Sequence, residues 1–244
     1  MIYVVLGCHK SGTTLISEIL HRSGIPMVED DVHETDYDEG DFFERLDWVM
    51  LNQEIIGHRD PASDFADPLK VIASESERER IASEIQRMQD QHESWGFKDP
   101  RTCITYPIWN ELLPEHTVIG IYRSLPEVWA HEARGGWARR SLWKTIRMWV
   151  DYNRRLADVI EGRRHYGLPT ILLSFEALMT GDSEFARFED FMSQKLTDPR
   201  QPDRYHSSSR SRLRIRIADY VLGQLGYAQP SVVKERLDVQ CRGE

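Results

Sequence analysis

Residues 2–14 read IYVVLGCHKSGTT. The opening IYVVL is apolar without alternation, the pattern of a short strand buried on both faces in the middle of a parallel sheet. Gly7 ends it and Gly12 follows. Leu15, Ile16, Ile19 and Leu20 then fall on one face of a predicted helix over 13–23, with Gly24 as its C-cap. Strand, glycine turn and helix together form a frame in which backbone N–H groups and the helix dipole converge on an anion.

Against the nucleotide-binding pattern G-x-x-x-x-G-K-[ST], Gly7 and Gly12 take the two glycines and Thr14 the hydroxyl position. Thr13 stands where the lysine belongs, and a lysine comes earlier, at Lys10. In ATP and GTP enzymes the lysine after the second glycine reaches the β- and γ-phosphates beside a magnesium ion. A ligand without a γ-phosphate does not need that contact. Lys10, Ser11, Gly12, Thr13 and Thr14 are therefore expected to cradle one phosphate group, with Lys10 near its departing oxygen.

Further along, WGFK and TVIGIYR read as strands, the first stopped by Pro100, and TILLSF reads as another. Helices are predicted over 68–93 (Ile81, Ile85 and Met88 inward), 102–113, from about Pro126, 141–161, 183–194 and 212–225. WVMLNQEII also has helical spacing, after an acidic loop that begins at residue 29. Strands alternating with helices predict an α/β fold, a three-layer α/β/α arrangement around a central parallel sheet like that of P-loop nucleoside-triphosphate hydrolases. Ligands in such sheets bind beyond the carboxyl ends of the strands, where GCHKSGTT, KDPR and YRS all lie.

The chain has 244 residues and no internal repeat or low-complexity linker, so one domain over 1–244 is expected. Its formal charge of −9 disfavours a nucleic-acid partner. Cys8, Cys103 and Cys241 include no CxxC pair, which argues against a disulfide scaffold or zinc ribbon, and the histidines show no metal spacing. No apolar run approaches the roughly 20 residues of a membrane span. MIYVVLG lacks a basic leader, so the expected location is cytoplasmic.

HKSGTT after a first strand resembles the 5′-phosphosulfate loop of sulfotransferases that use 3′-phosphoadenosine 5′-phosphosulfate (PAPS), where PKSGTT is usual. Four more stretches carry the resemblance in chain order. EGDFFERLDWVMLNQEI is similar to a G-x-F-E segment, and WGFKDPR to W-x-K-D-P-R. VIGIYRSLPEVWAH resembles the 3′-phosphate segment. MWVDYN with TILLSFEAL resembles a W-x-x-Y-N helix and YEDL strand end.

The resemblance implies sulfonate transfer from PAPS to a hydroxyl of a small-molecule or carbohydrate acceptor, leaving 3′,5′-ADP (PAP), with no metal. Arg123 would grip the 3′-phosphate, since a guanidinium offers two parallel donors. The family's serine eight residues later is His131 here, so His131 or Ser124 would complete that clamp. Lys98 would offset charge on the sulfonate, and Asp99 and Arg101 would position it or pair with each other. Glu44 or Glu39 would take the acceptor's proton; Glu44 is preferred because it begins a helix. His9 and Cys8 read as a conformational and a packing residue of the loop. The arginine-rich run 204–216 reads as a lid or as a solvated helix face. Two other readings stay open: a P-loop kinase or NTPase acting with Mg·ATP, and a nucleotide-binding relative without activity.

Overall fold

The computed structural model describes residues 1–28, 43–57, 71–134, 142–205 and 212–243. Four strands, β1 (Ile2–Leu6), β2 (Trp95–Lys98), β3 (His116–Tyr122) and β4 (Thr170–Ser174), form one parallel sheet in the order β2-β1-β3-β4. Val4 lies opposite Phe97 on one side and Val118 on the other. The unbroken apolar runs are explained by what covers them. Side chains alternate across a strand, and here both faces of the sheet are packed.

Val4, Leu6, Val118 and Leu172 point into one core, shared with Trp48, Trp109, Trp149 and Leu237. Val5, Ile119, Ile121 and Leu173 point into the other, with Leu15, Ile16, Leu178 and Phe188. The first face is covered by α2 (Leu46–Ile55), α3 (Glu75–Gln91), α4 (Thr102–Leu112), α5 (Leu125–Arg134), α6 (Leu142–His165), α9 (Arg212–Gln224) and α10 (Pro230–Arg242). The second carries α1 (Thr13–Arg22), α7 (Phe175–Thr180) and α8 (Ser183–Met192). Helices on both faces of an all-parallel sheet make the α/β architecture expected from the sequence.

Three elements depart from that expectation. The helix predicted from residue 68 starts at Glu75, because Ser74 accepts from the Glu77 N–H while the Glu77 carboxylate accepts from the Ser74 N–H, a capping box that fixes its start; residues 68–70 lie outside the described ones. TILLSF is strand only to Ser174, whose hydroxyl accepts from the Ala177 N–H and turns Phe175 into the first residue of α7. α10, not predicted, has Pro230 in its first turn and buries Val233 and Leu237. Among the described residues no helix is long and apolar enough to cross a membrane.

Candidate functional site

All four strands deliver their carboxyl ends to one edge of the sheet, so Gly7, Lys98, Arg123 and Ser174 emerge together. The loop after β1 is built by backbone conformation. Lys10 adopts φ 63 and Gly12 φ 100, both left-handed, and the Ser11 N–H closes the turn onto the Cys8 carbonyl at 3.1 Å. A Cβ on Gly7 would meet the Ser11 hydroxyl and the Ile121 carbonyl, each at 2.6 Å; one on Gly12 would strike the Phe175 ring. Gly12 is the N-cap of α1 and supplies no side-chain acceptor to the first N–H groups of the helix. The Ser11 hydroxyl is buried and has no hydrogen-bond partner among the described residues. A buried donor left in that state is unfavourable unless something meets it. Lys10 is exposed at the rim.

Arg123 leaves β3 beside this loop. Its Nη1 donates to the Lys10 carbonyl at 3.4 Å, its guanidinium lies 4.4 Å over the Phe175 ring, and Glu127 is 3.8 Å from its Nη2. The Trp149 indole donates to the Arg123 carbonyl at 2.7 Å and fixes the backbone there. The Ser124 N–H donates to Glu176 on α7. His131, on α5, is partly buried. The guanidinium thus lies against the loop.

Lys98 ends β2, and its side chain is 1% exposed. The ammonium donates to Glu44 Oε1 at 2.5 Å and to the Thr14 hydroxyl at 3.4 Å. Three residues singled out separately in the sequence are therefore in one contact chain: loop hydroxyl, buried cation, carboxylate. Burial pushes the Glu44 carboxyl above its ordinary value, against the pull of Lys98 in the other direction. Glu44 immediately precedes Arg45, the N-cap of α2, so it flanks the helix rather than beginning it. Glu39 lies outside the described residues.

Below this chain sits a network the sequence did not reveal. Asp99, almost wholly buried, accepts from the Arg101 N–H at 3.0 Å and guanidinium at 2.7 Å; the two do pair across the turn. Its other oxygen accepts from Asn52 of α2 at 2.9 Å. Asn52 also donates to the Thr102 hydroxyl, and its carbonyl accepts from Thr105 at 2.6 Å and the Trp109 indole at 2.9 Å. One amide therefore ties the KDPR turn to α2 and α4. The signal was present: a lone asparagine on the buried stripe of VMLNQEII needs partners to be buried at all. Tyr152 of α6, also missed, meets His9 at 3.3 Å, which supports the reading of His9 as a loop residue. Cys8 is buried.

Compared with known proteins, the chain matches no family model and no curated protein.

Proposed function

We propose that this chain is a sulfotransferase of P-loop-like fold, moving a sulfonate group from PAPS to a hydroxyl of a small-molecule or carbohydrate acceptor. One observation carries the reading: the buried Lys98 ammonium lies between the Thr14 hydroxyl and the Glu44 carboxylate. In a P-loop NTPase the equivalent hydroxyl faces magnesium. Here it faces a fixed protein cation, suited to a transferred group of lower charge.

The loop fits a phosphate. Its buried Ser11 hydroxyl lacks a partner among the described residues, the α1 N-terminus has no side-chain cap, and Gly7 leaves no room for a Cβ. Lys10, Ser11, Gly12, Thr13 and Thr14 would hold the 5′ end of PAPS, and Arg123, with His131 or Ser124, the 3′-phosphate. When bound, PAPS supplies an activated sulfonate on a phosphate leaving group. Glu44 accepts the proton of the acceptor hydroxyl; its raised pKa makes it a stronger base than an exposed glutamate. Lys98 and Lys10 offset negative charge on either side of the transferred group. Asn52 and Asp99 hold the turn that aims Lys98.

Thermal-shift measurements with 3′,5′-ADP and with Mg·ATP test the binding step, and transfer of label from PAPS to a panel of hydroxyl acceptors tests the chemistry. Stabilisation by 3′,5′-ADP, abolished in Lys10→Ala and Arg123→Ala, is the expected result. Stabilisation by Mg·ATP alone overturns the proposal in favour of a kinase or NTPase; binding of 3′,5′-ADP without transfer to any acceptor favours a non-catalytic relative.

A further inference from the structure

Helix α9 has apolar residues on both sides. Ile215, Ala218 and Leu222 are buried against the protein. On the opposite side Leu213 (70% exposed), Ile217 (57%) and Tyr220 (66%) recur at helical spacing and face solvent. Exposed Leu225 and Tyr227 follow at its carboxyl end, and Val232 is exposed at the start of α10. A single exposed leucine needs no explanation, but a continuous stripe does.

The charges beside the stripe say what covers it. Arg212, Arg214 and Arg216 alternate with the apolar residues, and Arg214 and Arg216 are exposed. Neither has an ion pair among the described residues. Asp219 is the sole acid between 212 and 229, and it is engaged within the protein, accepting from the Ser231 N–H at 2.8 Å and hydroxyl at 2.7 Å. A protein of net charge −9 thus carries, in α9, a cationic helix whose outer face is apolar, with Tyr220 on that face and Tyr227 just past its end. That combination matches an interface between hydrocarbon and anionic headgroups. A two-fold contact between copies of this chain through the same stripe would bring like arginine rows together, which disfavours it.

We propose that α9 is a peripheral membrane-docking helix, laying Leu213, Ile217 and Tyr220 into the surface of an anionic bilayer with Arg214 and Arg216 at the headgroups. The inference is independent of the sulfotransferase reading.

Co-sedimentation of the full chain with phosphatidylcholine vesicles, with and without phosphatidylglycerol, tests it. Binding should require phosphatidylglycerol and be lost at high salt. Leu213→Glu/Ile217→Glu should weaken it at least about 10-fold, and Arg214→Gln/Arg216→Gln should weaken it by about fivefold per arginine. Circular dichroism confirms that each variant is folded; should the first double variant fail to fold, the second decides alone. No binding, or binding indifferent to the variants, overturns the proposal. So does concentration-dependent dimerisation in sedimentation velocity that the variants abolish, which would assign the face to a second copy.

Discussion

The two ends of the sheet both bury charge, and they do so differently. At the amino-terminal end, Arg163 of α6 donates to the His116 carbonyl, to the Tyr106 hydroxyl at 2.8 Å and to the Thr170 hydroxyl at 3.0 Å. His116 Nε2 lies 3.0 Å from Arg163 and 2.8 Å from Tyr106, while its Nδ1 meets the Pro114 carbonyl at 2.8 Å. Each polar group there is answered by another from the protein. At the carboxyl-terminal end, Lys98 and Glu44 answer each other, but among the described residues the Ser11 hydroxyl is left over and Gly12 gives α1 no side-chain cap. A closed network stabilises and locks strands together; a partly open one is arranged for something that arrives. Buried charge alone does not mark a site. What sets this end apart is a buried hydroxyl, that of Ser11, in the glycine loop and without a partner among the described residues.

That contrast can be broken by substitution. The largest effect is expected from Glu44→Gln, which should reduce sulfonate transfer by about 10²- to 10⁴-fold while 3′,5′-ADP binding holds. Retained turnover would move the proton acceptor to Glu39. With Glu44 in place, the acid limb of kcat/KM should lie above the ordinary carboxylate value of 4.5. Because the base must be ionised, activity falls as pH drops through that raised value, and Lys98→Met should move the limb higher still.

Arg163→Met attacks the closed end. It should destabilise the fold by about 3 kcal/mol, measured by urea denaturation, with turnover per folded molecule unchanged. A loss of turnover without a loss of stability would reverse the assignment of the two ends. Asn52→Ala lies between them. It should lower stability by about 2 kcal/mol and turnover roughly 10-fold, because the Asp99 turn that aims Lys98 loses its tether.

A last comparison, read through pH, concerns His116. Burial first, and then Arg163, pull its pKa from 6.5 down to about 4. The unfolded chain therefore takes up a proton that the folded one refuses between those values. This contribution to stability is complete above pH 6.5 and is lost as pH falls toward 4. His116→Gln should show a shallower decline of the thermal midpoint across that window; an unchanged slope would show that the histidine is not held neutral by the fold.

Much of this was legible in the chain because it depends on local pattern. The β-branched runs at 2–6, 116–122 and 170–174 gave the strands, since a strand packed on both faces has no polar alternation to disguise it. Gly7 and Gly12 gave the loop, since only glycine fits those contacts. The helix after Leu142 was foreseen to within a few residues but runs on to His165. What stayed hidden depends on partners distant in sequence. Asn52 makes sense only once Asp99, Thr105 and Trp109 surround it. The direct contact of Lys98 with Glu44 joins residues 54 positions apart, so spacing could nominate each but not pair them. Phe175 looked like strand because Ser174 can end a strand or cap a helix, and the local sequence does not choose.

The helix 230–242 has a consequence for how the protein comes into being. The Tyr122 hydroxyl, next to Arg123, donates to Asp238 at 2.6 Å; Arg236 pairs with Glu161; and Leu237 is wholly enclosed. Every proposed ligand-binding residue leaves the ribosome before this helix is made, yet the strand end that carries Arg123 is braced by it. A nascent chain halted before Pro230 would carry the complete loop chemistry on an unbraced frame, with the flank of α6 bare to chaperones and proteases. Translation through that helix, rather than synthesis of the glycine loop, completes the frame on which the strand end at Arg123 rests.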